Sequence, residues 1–320
     1  MIPIHIALAI LVAFIWGVNF TFIAWALESF PPLMLTAMRF FFTAVPLVLF
    51  LKPPKFNRTL FIYAIGTFVM QYAFVFTAMY LGASAGLTAL LLQIQIFITV
   101  LLAYFILNEV VSRMQIIGMV VGVLGLGVIA LNLGGDMPLM GFICILIAAI
   151  GWSFGNIASK QVSTQATAQQ ATIRSSVTSI TKEKSKNQSS ALSALSLVVW
   201  GGLIACVILI ISSLIFESDT WQLATFTQAS LKSWLSLGFI VYISTLIGFG
   251  LWAHLLAQNT ASKIMPFALL VPIFGMSTSV LLTGELITWW KMLAMVLILS
   301  GLILANVKIE LGRKVVESKP

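Results

Sequence analysis

Six polar side chains and three tryptophans stand inside stretches that are otherwise apolar: Asn19, Arg39, Gln71, Gln93, Gln95 and Asn156, with Trp16, Trp152 and Trp200. Their chemistry is that of holding a solute rather than breaking a bond. Arg39 is the one formal charge deep in an apolar stretch, and its planar guanidinium fork matches a carboxylate. The same fork could instead satisfy backbone carbonyls or anchor a neighbouring helix. The amides offer donors and acceptors, and the indoles offer flat walls with one N–H each. Gln93 and Gln95 are two apart, so on a helix they point about 200° apart and at most one faces a cavity squarely. The other is left to bond a neighbouring helix. Pro272 lies in a similar stretch and removes one backbone hydrogen bond, making either a hinge with an exposed carbonyl or a tolerated kink.

The surroundings decide what these residues can mean. The 320 residues are 60% hydrophobic and only 8% charged, with a mean hydropathy of +1.09. Soluble domains run near ~25% charged, so this chain cannot cover a surface facing water. That excludes a soluble enzyme, a nucleic-acid-binding domain and a disordered protein, and leaves a polytopic membrane protein. Cys144 and Cys206 both sit in apolar runs, so neither a disulfide framework nor a metal site is expected. No cleavable signal is evident: the first run has no basic leader and is too long for a signal core.

Ten runs are long enough to span a bilayer: Ile4–Leu27, Pro32–Leu51, Leu60–Leu81, Ala85–Ile106, Met114–Leu131, Leu139–Val162, Leu192–Phe216, Trp234–Ala257, Ile264–Thr283 and Thr288–Val307. They are too long for barrel strands and lack strict alternation, so the expected class is an all-α bundle of ten transmembrane helices. With the N-terminus inside, fourteen Lys and Arg fall in inner loops and the tail, against Lys232 and Lys291 outside. This bias expects both termini in the cytoplasm, and it gives the net charge of +8 a use other than nucleic acid. Counted from the span ends, Arg39, Gln71, Gln93, Gln95, Trp200 and Pro272 fall near the midplane, where a polar group is costly unless it faces protein or a water-filled path.

The two halves echo each other. Glu109 closes span four and Glu285 closes span nine, an offset of 176 residues at which Gly125 also falls on Gly301. Trp16 and Trp152 match at an offset of 136. Five spans per half is an odd number, so the second half enters the membrane from the opposite side. That is an inverted repeat, the plan of many secondary transporters, with the substrate site at the midplane between repeats. The expected organisation is residues 1–162 as the first repeat, 163–191 as a flexible polar cytoplasmic linker, 192–307 as the second repeat and 308–320 as a cytoplasmic tail. Gly118, Gly122 and Gly125, and Gly248 and Gly250, read as points of close helix approach.

Absences constrain the mechanism. No Asp or Glu lies at the midplane; Glu109 and Glu285 sit at span ends, where each caps or pairs at the start of the next span. Proton and sodium relays normally use buried carboxylates, so facilitated export or exchange fits better than driven coupling. His254 lies near an inner span end and is a poor relay. No metalloprotease, phosphate-loop or nucleophile-elbow motif is present, so neither hydrolysis nor ATP-driven pumping is supported, and no cofactor is implied. An intramembrane enzyme acting on lipid carriers would need a nucleophile or acid–base pair at a membrane face, and none is found.

The ten spans as five plus five, Trp16-Gly17-Val18-Asn19-Phe20, Arg39-Phe40, and Glu109 and Glu285 closing their spans resemble the EamA family of the drug/metabolite transporter superfamily. Pro31-Pro32-Leu33-Met34-Leu35, Gln71-Tyr72-Ala73-Phe74, the stretch from Leu92 to Phe97, the stretch from Ile247 to Trp252, and Leu269-Leu270-Val271-Pro272 are similar to a branch that exports O-acetylserine and cysteine. Many family members carry Pro in span four where this chain has Gln-x-Gln; the long polar linker is its main departure from the branch. The resemblance implies a small zwitterionic substrate moved outward across a bacterial inner membrane. A broader exporter of drugs or aromatic solutes is the alternative, and Arg39 disfavours a cationic one.

Overall fold

The structure, a computed structural model, describes residues 2–175 and 183–306, and its side-chain surroundings exclude 162–194 and 261–262. Apolar backbone in lipid must satisfy its own hydrogen bonds, and the chain does so with helices. They are α1 (Pro3–Leu27), α2 (Pro32–Val48), α3 (Arg58–Ala64), α4 (Gln71–Tyr80), α5 (Ala85–Leu91), α6 (Ile94–Leu107), α7 (Arg113–Ala130) and α8 (Leu139–Ser175) in the first half. The second half holds α9 (Glu183–Phe216), α10 (Leu223–Thr227), α11 (Leu231–Gly238), α12 (Gly248–Gln258), α13 (Ala261–Ile264), α14 (Leu270–Thr283) and α15 (Trp289–Asn306). Among the described residues nine helical stretches are long and apolar enough to cross a membrane, and the 17-residue α2 is a shorter apolar tenth.

Below, the end of the bundle where α1 begins and α15 ends is called proximal, and the opposite end distal. Polar side chains at helix starts fix the chain's turns. Asn57 accepts from Leu60 N–H, Ser84 from Leu87 N–H and Ser230 from Ser233 N–H, while Ser112 and Gln115 form a reciprocal capping box. The start of α2 is capped from another helix end: Glu217 accepts from Leu33 N–H at 2.9 Å and Met34 N–H at 2.8 Å, a carboxylate at the positive end of a helix.

Glycine pairs bring helices together without side chains between them. A Cβ on Gly118 would lie 2.4 Å from the Gly301 carbonyl oxygen, and one on Gly301 would lie 2.5 Å from the Gly118 oxygen, so α7 and α15 meet backbone to backbone. Gly122 and Gly125 are similarly crowded by Phe97 and by Ile298. Gly248 meets the Trp16 indole, but Gly250 faces open space, so the close-approach reading fails there.

The inverted repeat is written into the backbone's irregularities. Span three widens to a π-helix over Ile65–Met70 and span eight over Phe239–Ile247, which overlap at the 176-residue offset. Span four tightens between α5 and α6, where Gln93 N–H bonds back to Leu90 and Gln95 N–H to Leu92. Span nine tightens over the 3₁₀ turn Met265–Leu269. Both spans then end on left-handed residues at matching positions, Asn108 (φ 53°) and Gly284 (φ 73°), each followed by its glutamate. Within the polar 163–191 segment α8 continues to Ser175 and α9 begins at Glu183. Residues 176–182 and the 308–320 tail lie outside the described residues.

Candidate functional site

The π-helix of span eight organises the first cluster. Its wide turn directs Thr245 and Ser244 toward α1 and α2. Arg39, only 1% exposed on α2, donates from Nε and Nη2 to Thr245 Oγ1 at 3.1 and 2.9 Å. Its guanidinium carbon lies 4.0 Å from the centre of the Tyr72 ring on α4. Among the described residues no Asp or Glu forms an ion pair with it, and Nη1 is buried without a hydrogen-bond partner. One residue earlier on the π-helix, the Ser244 carbonyl accepts the Trp16 indole N–H at 3.2 Å, and the indole packs on Phe249 and Trp252. Arg39 and Trp16 are thus held by adjacent residues.

Other buried polar atoms are also left without partners, among them Thr21, Thr88 and Thr288 Oγ1. Asn19, one turn after Trp16, and Gln71, beside Tyr72, are both buried, and their side-chain oxygens have no partner. Buried polar groups are normally paired. A buried cation with no counterion carries a desolvation cost of several kcal/mol. One guanidinium nitrogen and two amide oxygens are thus left without partners on α1, α2 and α4.

A second cluster lies along α6 and α8. Gln93 donates to the Ala268 carbonyl at 3.4 Å, so the tight turns of spans four and nine touch each other. Gln95 is half-buried with an unpartnered Oε1, and its carbonyl accepts from Thr99 at 2.7 Å and from Ser153 at 2.9 Å. Asn156 donates to Thr99 Oγ1 at 3.2 Å and lines a proximal cavity of about 170 Å³ with Glu109, Gln115 and Lys160. Trp152 is half-buried beside Ser153.

Trp200 and Pro272 complete the expected residues. Trp200 donates its indole N–H to the Leu51 carbonyl at 3.1 Å and packs on Phe56, which fastens it to the proximal α2–α3 loop away from the Arg39 cluster. Pro272 is the third residue of α14, directly after the tight turn. In a first turn its missing N–H breaks no intrahelical bond, so it marks where the helix restarts rather than kinking a continuous one. Tyr72 and Thr245 contact Arg39, although neither was named as a candidate site residue from the sequence. Ser244-Thr245 was visible as a polar pair about a dozen residues into span eight, at the same depth as the glutamines. No group of His, Cys, Asp and Glu among the described residues could hold a metal ion.

Comparison with known proteins matches residues 3–131 and 184–307 to the EamA-like transporter family. A "Probable amino-acid metabolite efflux pump" of Salmonella typhimurium (strain LT2) is 33% identical, and one of Escherichia coli (strain K12) is 31% identical; in each case 92% of both chains is covered. An uncharacterized transporter of Bacillus subtilis is 27% identical over 91% of this chain and 92% of its own. A solved crystal structure at 16% identity superposes with a TM-score of 0.58, covering 93% of this chain and 98% of that one, and so shares the fold.

Proposed function

The chain belongs to the EamA-like transporter family, and on that premise we propose that it exports small zwitterionic amino-acid metabolites of the O-acetylserine and cysteine type. It is a multi-pass membrane transporter rather than an enzyme, with two repeats of the family's kind. The two efflux-pump relatives support export of a metabolite; the choice of a zwitterion rests on the site. The carrying observation is Arg39: a fully buried guanidinium with one nitrogen unpartnered and no carboxylate bound to it. A substrate carboxylate supplies the missing counterion, and the open oxygens of Asn19 and Gln71 suit its ammonium. A cationic drug would put like charge beside Arg39. The basic residues at the proximal end support a cytoplasmic location for that end and both termini, in a bacterial inner membrane. Transport proceeds by alternating access between the repeats.

Export from cells tests this. Overexpression raises extracellular cysteine or O-acetylserine and the tolerated dose of either. Unchanged efflux and unchanged tolerance with correctly inserted protein would reject this substrate class.

A further inference from the structure

The inverted repeat predicts two equivalent gates, and the structure holds them in different states. At the distal end Glu285, directly after the left-handed Gly284, is only 4% exposed. Its carboxylate reaches from the end of α14 to the start of α5, accepting from Ser84 Oγ at 2.7 Å and from Gly86 N–H at 3.1 Å. Ser279 also donates to it. Lys291 on α15, 1% exposed, pairs with it at 2.8 Å and with Asp136 at 2.6 Å. Gly86 permits the approach: a Cβ there would lie 2.8 Å from the Glu285 Oε2 and 3.2 Å from the Met276 Cα. A carboxylate held by this many donors ties the end of span nine to the starts of spans four and ten.

At the proximal end the counterpart is Glu109, directly after the left-handed Asn108. By the same 176-residue offset its partner would be Thr260, at the start of α13, the equivalent of Ser84. Instead the Glu109 side chain is 44% exposed, pairs with Lys160 on α8, and borders the proximal cavity, while Thr260 is exposed. The position matching Lys291 is Gln115, which brings no charge. Both carboxylates carry a lysine, but Glu285 is buried with its lysine, and Glu109 with Lys160 stands open to solvent.

We propose that Glu285 and Glu109 are alternating latches: Glu285 locks the distal end in the state seen here, and Glu109 locks the proximal end at Thr260 when Glu285 lets go. Each carboxylate exchanges a buried set of donors for a solvated one as the two ends alternate. This goes beyond the substrate assignment, because it concerns the cycle and not the cargo.

Thiol labelling tests it without substrate, so a failed export assay leaves the test standing. Met276, buried against Gly86, is replaced by Cys in a Cys144→Ala/Cys206→Ala background, and the protein in lipid nanodiscs is exposed to a hydrophilic maleimide. With Glu285 intact, labelling is slow. Glu285→Gln, which loses the Lys291 pairing, raises the initial rate at least tenfold. Glu285→Asp keeps the charge but draws the carboxylate back by one methylene, and raises the rate in the same direction should the Gln variant fold poorly. Adding Glu109→Gln to Glu285→Gln weakens the opposing latch and lowers the rate again. Rates within twofold of the intact latch in both Glu285 variants overturn the distal latch. A double-variant rate equal to that of Glu285→Gln overturns the role of Glu109.

Discussion

Replacing Arg39 by Met separates recognition from folding. The two bonds that Arg39 makes in the protein both go to Thr245 Oγ1, and that hydroxyl keeps its own donation to the Ile240 carbonyl at 2.8 Å. The variant therefore strands no buried hydroxyl. It loses the contact with the Tyr72 ring, about 2 kcal/mol for a desolvated cation–π pair, and regains several kcal/mol of desolvation from the removed charge. Insertion and thermal stability should change by no more than about 2 kcal/mol in either direction. Recognition should change much more. A charge-assisted hydrogen bond contributes about 1.5–3 kcal/mol, and about 1.4 kcal/mol is a factor of ten. A substrate carboxylate should thus lose about 10- to 150-fold in apparent affinity. The assay is competition of unlabelled cysteine and cysteine methyl ester against labelled cysteine in proteoliposomes. With Arg39 present the free carboxylate wins by that factor. In Arg39→Met the two compounds should compete about equally. An unchanged preference for the free acid in a folded variant would refute the role given to Arg39.

Other expectations concern the frame. Gly301→Val drives a side chain against the Gly118 oxygen, 2.5 Å from its Cβ. Overpacking of this kind costs about 1–3 kcal/mol, and the lowered thermal midpoint should be seen by fluorescence-detected chromatography without a change in the acid-to-ester preference. Glu217→Gln removes the charged cap of α2 and should destabilise the protein by about 1–2 kcal/mol in the same assay.

The sequence carried the spans because lipid imposes one rule on every residue within them. The rule is silent about ring size: the π-turn at Ile65–Met70 is as apolar as the α-helix around it, and the glutamines of the tight turn between α5 and α6 do not announce its tighter bonds. Those irregularities position Thr245, Gln71 and Gln93, so the candidate residues were legible but their grouping was not. Trp200 shows the limit of counting depth. Its span was counted from Leu192, whereas α9 begins at Glu183 and the indole bonds to the α2–α3 loop. Lys291 shows the limit of reading charge. A lysine bordering an apolar run reads as loop, yet this one lies within α15 and is buried, because Asp136, from a distant loop, and Glu285 neutralise it. Only the fold brings Asp136 and Lys291 together. The glutamates closing spans four and nine were visible as a matched pair; the expectation that each caps or pairs at the next span describes Glu285 and Lys291, but not Glu109, which pairs with Lys160 on α8.

The central claim is that a small amino-acid zwitterion crosses the membrane through this protein. Counterflow tests it most directly, since exchange needs no coupling ion. Proteoliposomes of purified protein are loaded with unlabelled O-acetylserine or cysteine and diluted into a trace of the labelled compound. Transient accumulation of label, strongly reduced by Arg39→Met and absent from empty liposomes, is the expected result. Label that never exceeds the empty-liposome level, with folded and inserted protein, would contradict the account.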